Sequence, residues 1–268
     1  MKAADFDFLA QLMSRRSGIA LQRSKTQMIA SRLQAVVRRF GFRTIEAMLA
    51  ELRFGPEQLV AAVVEALLIA DTAFFRDTAL FEHVRHKLLP ALVKAKGQER
   101  CLRIWCAGAS TGQEPYSLAM ILDEENLARD GWRVELIATD LSAAAITRAR
   151  EGLYSRHEVE RGLAPQTLLK FFVQQGDSWR IEERIRRMVS FRVFNLLDDF
   201  GWLGTLDAIF CRNVLIYFDA RPKASVLAKL SEALAAHGCL ILGASESLTP
   251  ATDLLRADST RVFYRHAA

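Results

Sequence analysis

The chain has 268 residues, 51% hydrophobic and 25% charged, which suits one large or two smaller globular domains and excludes a disordered or fibrous class. It shows no cationic leader ahead of an apolar run, and no apolar run approaching the roughly 20 residues of a membrane span. The net charge of +5 is concentrated: Arg15, Arg16, Arg23, Lys25, Arg32, Arg38, Arg39 and Arg43 fall in one stretch without an acid, so the remainder is net acidic. That stretch is either a contact face for something acidic or a solvated helix face. The four cysteines, Cys101, Cys106, Cys211 and Cys239, form no C-x-x-C pair and lie in apolar, strand-like runs. They read as buried thiols of a cytoplasmic protein rather than disulfides or a zinc site.

The first ~90 residues carry helical periodicity. "SKTQMIASRLQAVVRRFG" sets Met28, Ile29, Leu33, Val36, Val37 and Phe40 on one stripe, with Gly41 as a stop. Thr44 suits the cap of "IEAMLAELRF", and Pro56 opens "PEQLVAAVVEALLI". After Phe74 and Phe75, which read as core aromatics, Asp77 suits the cap of a helix reaching about Leu89.

From Cys101 the pattern alternates. Strands are expected at residues 102–107, 134–139, 189–194, 206–211, 239–243 and 261–265, and helices at 114–129, 142–151 and 222–237. This βαβ rhythm predicts a doubly wound, mostly parallel sheet. Residues 152–188 interrupt it with polar helix fragments and a hairpin, "FFVQQGDSWRIEE", turning at Gly176-Asp177, and read as a small insertion.

"RIWCAGASTGQEPYSLAM" (residues 103–120) is a strand, a glycine turn and a helix start. A Walker loop is excluded by spacing and by the missing lysine. A dinucleotide fingerprint is disfavoured because Ser110 replaces the middle glycine and Glu114 would meet the pyrophosphate. A ligand with a cationic, amino-acid-like end and a ribose but no phosphate remains, and S-adenosylmethionine has those properties. Asp140 ends the next strand, where it would accept from ribose hydroxyls at the switch point of the sheet. Asn195 and Asn213 stand at later strand ends, where an amide can read an adenine edge. Each has a plainer reading: Glu114 as complement to a helix dipole, Asp140 as a helix cap, the asparagines as turn residues. Their joint placement at successive strand ends favours the ligand.

Six ordered stretches, "TAFFRD", "RIWCAGASTGQEPYSLAM", "IATDLS", "FNLL", "CRNVLIYF" and "GCLILGASESL", make the chain resemble the chemotaxis receptor glutamate methyltransferases over nearly its whole length. The resemblance implies residues 1–75 as a helical receptor-recognition domain and 76–268 as a class I S-adenosylmethionine-dependent methyltransferase domain, with residues 152–188 as a small antiparallel β-subdomain. It implies donor contacts from Thr72, Arg76, Glu114, Asp140, Asn195-Leu196 and Asn213-Val214. The family's N-x-T is broken by Ala70 in place of Asn, which removes one polar contact. The partner implied is the cytoplasmic helical domain of methyl-accepting receptors, met by a soluble monomer through Arg32, Arg38 and Arg39. Some family members also grip a receptor C-terminal peptide through the β-subdomain. The short loop in "QQGDSW" predicts no such dependence here.

A glutamate nucleophile is ionised at neutral pH, with a reference pKa of about 4.3, and a sulfonium is an activated leaving group. Alignment and water exclusion therefore suffice, and neither a general base nor a metal is expected. Tyr217 and Arg103 are the candidates for orienting the carboxylate. The competing readings are a donor-binding sensor, or a methyltransferase acting on a small molecule or RNA. No aromatic or Gly-rich RNA-binding pattern interleaves the arginines.

Overall fold

The computed structural model describes residues 1–127, 130–246, 248, 255–257 and 262–266. Four helices open the chain: α1 (Ala3–Ser17), α2 (Thr26–Arg39), α3 (Ile45–Leu52) and α4 (Glu57–Leu67). Their apolar stripes share a core in which Leu9, Met13, Leu33, Met48, Leu49 and Val63 are fully buried. Thr44 caps α3 as expected, its Oγ1 accepting the Ala47 N–H at 3.1 Å. Met28 departs from its expected place in the stripe and is 39% exposed. Ile29, Leu33, Val36 and Val37 centre the buried face of α2, and Met28 falls on its flank.

Residues 68–77 lead into α5 (Thr78–His83), a π turn (Val84–Leu88) and α6 (Leu89–Ala95). The helical run continues past the expected end near Leu89. Pro90 stands in the first turn of α6, where a missing N–H is tolerated, directly after a π turn in which the Leu89 N–H donates to Val84 O.

The α/β part follows with β1 (Cys101–Ala107), α7 (Gln113–Glu124), β2 (Arg133–Asp140) and α8 (Ala143–Glu151). Then come β3 (Leu153–Ser155), α9 (Arg156–Glu160), α10 (Pro165–Phe171), β4 (Phe172–Gln175), β5 (Ser178–Ile181) and α11 (Glu183–Arg186). The chain returns through β6 (Val189–Val193), β7 (Leu206–Cys211), α12 (Ala220–Ala233), β8 (Leu234–Leu242), β9 (Leu255–Ala257) and β10 (Phe263–His266). The main sheet has seven strands in the order β6-β2-β1-β7-β8-β10-β9, parallel except for β10, which runs antiparallel to β8 and β9. Successive residues of β1 alternate between two cores: Leu102, Ile104 and Cys106 on one face, Trp105 and Ala107 on the other. Burial pushes the Cys106 and Cys211 thiols well up in pKa, so both are inert packing groups.

Two helices differ from expectation. α7 stops at Glu124, where Asn126 adopts a left-handed conformation (φ +55°). Residue 129, the expected end of this helix, and residue 261, the expected start of the last strand, lie outside the described residues. α12 ends at Ala233, four residues before the expected His237, because Leu234 already pairs with Leu206 of β7 across a bulge. Strand pairing and burial of Leu234 and Ala235 override the helix propensity of "EALAAH".

Residues 152–188 contain the second sheet, β3-β5-β4, all antiparallel. Gln175 pairs with Ser178, so the hairpin turn is only Gly176-Asp177, with Gly176 at φ +59°. The insertion packs on the linker: Phe74 is fully buried with its ring edge-on to Tyr154 at 4.9 Å and to Phe172 at 5.4 Å.

Candidate active site

The strand order reverses direction at β1, with β2 on one side and β7 on the other. A cleft opens beyond the carboxyl ends of these strands, as open α/β sheets require. It encloses about 950 Å³ of empty space, part of it open solvent, within the usual ligand-site range of roughly 300–1,000 Å³. Thr72, Arg76, Glu114, Asp140, Asn195, Leu196, Asn213, Val214 and Tyr217 all line it.

The floor is the β1–α7 loop. Gly108 sits at φ +80°, and a Cβ there would lie 2.3 Å from Val214 Cγ2, so only glycine lets the two strand ends close on each other. Asp140 binds this loop and the start of α8: Oδ2 accepts from the Ser110 N–H at 2.7 Å and Oδ1 from the Ser142 N–H at 2.8 Å. The cap of α8 is Ser142, whose Oγ accepts from Ala145 N–H at 2.9 Å, so Asp140 is not that cap. Burial raises the Asp140 pKa, and the two backbone donors oppose the shift. Beside it, the Ser110 hydroxyl is buried at the cleft wall without a partner among the described residues.

Glu114 stands in the first turn of α7 with its side chain 14% exposed. Its Oε2 accepts from Arg212 Nη1 at 2.7 Å. Burial pushes the Glu114 pKa up, and the Arg212 guanidinium pulls it back. Arg212 also pairs with Asp77 and donates to the Arg76 carbonyl at 3.1 Å. Asp77, expected as a helix cap, makes no capping bond and sits at φ +67°, its carboxylate turned to Arg212 instead.

The far wall is the loop after β7. Asn213 takes a left-handed conformation (φ +58°) there. Glu246 fixes the loop, accepting N–H groups from Gly243, Asn213, Val214 and Ile216 at 2.7–3.2 Å. The helical bundle covers one side: Ala20 donates to the Tyr217 carbonyl at 2.8 Å and Asp219 to Gly18 at 2.9 Å, bridging Ile19 to Phe218. Asn195 is committed to that seam. Its Nδ2 donates to Arg16 O at 2.7 Å, across the seam, and its Oδ1 accepts from Leu197 N–H at 3.1 Å, which leaves one N–H and one lone pair of the amide at the cleft.

Not every expected residue comes to the cleft. Arg103 lies in the amino-terminal half of β1, roughly 16 Å of strand from Gly108, and is not among the residues lining the cleft. Its Nε donates to Glu135 and its Nη1 to Thr205 O, both at 2.8 Å. Arg32 is spent on the C-terminus of α4, donating to Leu68 O at 2.8 Å, which suits a cation at a helix C-terminus. Arg38 and Arg39 are exposed on α2. Among the other cations of that run, Arg16 pairs with Glu57 and Arg23 with Asp7. Sequence reading assigned no role to Arg212 or Glu246, although both lie inside quoted motifs. The available signal was a charge embedded in an apolar strand end, which demands a buried partner.

Family models match both parts of the chain: "CheR methyltransferase, all-alpha domain" over residues 4–68 and "CheR methyltransferase, SAM binding domain" over residues 70–263. The chain is 39% identical over 254 residues to chemotaxis protein methyltransferase 1 of Pseudomonas aeruginosa, covering 93% of this chain and 92% of that one. It is 36% identical to chemotaxis protein methyltransferase Cher2 of Pseudomonas putida over the same shares. With the chemotaxis protein methyltransferase of Vibrio parahaemolyticus it shares 38% identity, over 91% of this chain and 89% of that one. By these matches the chain belongs to the CheR methyltransferase family.

Proposed function

We propose that the protein methylates glutamate side chains of chemotaxis receptors, forming methyl esters, with S-adenosylmethionine as donor and S-adenosylhomocysteine as product. The observation that carries the reading is the convergence of Glu114, in the first turn of the helix after β1, and Asp140, at the end of the neighbouring parallel strand β2, on one cleft with Tyr217 at its wall. The side chains fit the donor. Glu114 offers a carboxylate oxygen to an ammonium, and Arg76 and Thr72 offer donors to a carboxylate. Asp140 and the Ser110 hydroxyl suit a ribose diol. Asn213, Leu196 and Val214 supply an amide and apolar contact for adenine.

When bound, the donor supplies an activated methyl group. The protein's part is to align and to exclude water, and alignment can be worth roughly 7–11 kcal/mol. Tyr217 can orient the incoming carboxylate by donating its phenol hydrogen. Residues 1–75 form the receptor-recognition part, with Arg38 and Arg39 presented to an acidic helical surface, and residues 76–268 the catalytic part, in the cytoplasm. No helix among the described residues is long and apolar enough to cross a membrane. The test is transfer of labelled methyl groups onto receptor cytoplasmic helices. Base-labile label lost on substitution of the acceptor glutamates supports ester formation; base-stable label refutes it.

A further inference from the structure

Arg212 is the most deeply committed cation beside the cleft, its side chain 1% exposed. It grips three groups from two directions. Nη1 donates to Glu114 Oε2 at 2.7 Å, on the helix after β1. Nη2 bonds Asp77 and the Arg76 carbonyl, on the segment joining the two domains. Its Nε is buried with no partner among the described residues, so the guanidinium sits where the two carboxylates need it and not where its own donors are best satisfied. The gripped segment is strained: Phe75 (φ +47°) and Asp77 (φ +67°) both occupy the left-handed region without being glycine. Thr72 and Arg76 line the cleft from this same segment.

We infer that Arg212 is a positioning residue for methyl transfer: it holds the ionised carboxylate of Glu114 in the donor cleft and locks the strained 72–77 segment against the same cleft. A single fork-shaped cation does both, and a point charge such as lysine cannot span the two carboxylates. Glu114 Oε1 accepts no hydrogen bond from the described residues and remains for the donor's ammonium. The other charges acting on Glu114 are Glu246, which disfavours ionisation, and Arg76, which favours it; the nearby Cys106 and Cys211 are neutral thiols. Burial already favours the neutral acid, so loss of Arg212 removes the main force opposing it and raises the Glu114 pKa further.

The inference rests on the reading of Glu114 as the ammonium ligand. The experiment is calorimetric titration of full-length wild type, Arg212→Met and Glu114→Gln with S-adenosylhomocysteine from about pH 6 to about pH 9. Arg212→Met is expected to bind roughly ten- to a hundredfold more weakly at neutral pH and to recover affinity as pH rises, while wild type stays nearly flat. A loss equal at every pH, or no loss, overturns the inference. Unchanged affinity in Glu114→Gln overturns the site reading itself. If the methionine variant does not fold, Arg212→Lys carries the test. It is expected to keep the wild-type pH profile of binding and to lose kcat for receptor methylation, because the 72–77 segment is released; an unchanged kcat overturns the inference.

Discussion

Asn213 donates its backbone N–H to Oε2 of Glu246 at 2.8 Å, across 33 residues of sequence. The same carboxylate takes the N–H groups of Gly243, Val214 and Ile216, so one buried side chain holds both the end of β8 and the loop that carries Tyr217. Glu246→Ala leaves these donors without their partner. The expected cost is on the order of 2–4 kcal/mol of unfolding free energy, with weaker donor binding alongside. Denaturant titration checks it; a change within about 0.5 kcal/mol, the scale of an ordinary surface substitution, rules the anchor out.

Burial raises the pKa values of Glu114 and Asp140. A cationic donor prefers the ionised site. Affinity should therefore be complete above the two folded-state values and fall as pH drops through them, beginning above the ordinary carboxylate range of about 3.9–4.3. Asp140→Ala should weaken S-adenosylmethionine binding by about 1–3 kcal/mol at neutral pH and leave the residual pH dependence to Glu114. Calorimetry across the acidic range measures both, and a pH-independent wild-type affinity contradicts the assignment.

Arg38 and Arg39 should act on the receptor alone. Charge reversal at both is expected to raise the receptor KM, more at low salt than high because exposed pairs are screened beyond ~8–10 Å, and to leave donor affinity unchanged. Arg32→Met should behave differently, costing about 1 kcal/mol of stability through the lost bonds to Leu67 O and Leu68 O. Steady-state kinetics at two ionic strengths separates the cases; equal receptor KM in the reversal variant removes α2 as a contact face.

The hairpin turn between β4 and β5 is two residues long, which leaves no loop to fold over a peptide laid on the β4 edge. A peptide copying a receptor C-terminus should therefore show no detectable binding while the full receptor is methylated. Micromolar affinity that disappears when the 172–181 hairpin is altered would reverse this expectation.

Helix and strand identities, the inserted hairpin and the glycine turn after β1 were legible in the sequence because each depends on local periodicity or on one residue's backbone freedom. The carboxylates Glu114 and Asp140 were legible for a related reason: parallel βαβ topology carries successive strand ends to one edge, whatever the side chains do there. What local pattern could not supply was partnership between distant residues. The end of α12 was decided by Leu234 pairing with Leu206, the conformation of Asp77 by Arg212, and the fate of the Asn195 amide by Arg16 O. Arg103 and Arg32 carried the right charge for a site, yet Glu135, Thr205 and the end of α4 claimed them. A charge in a sequence is a demand for a counterpart, and only the folded chain determines which counterpart comes within about 3 Å of it.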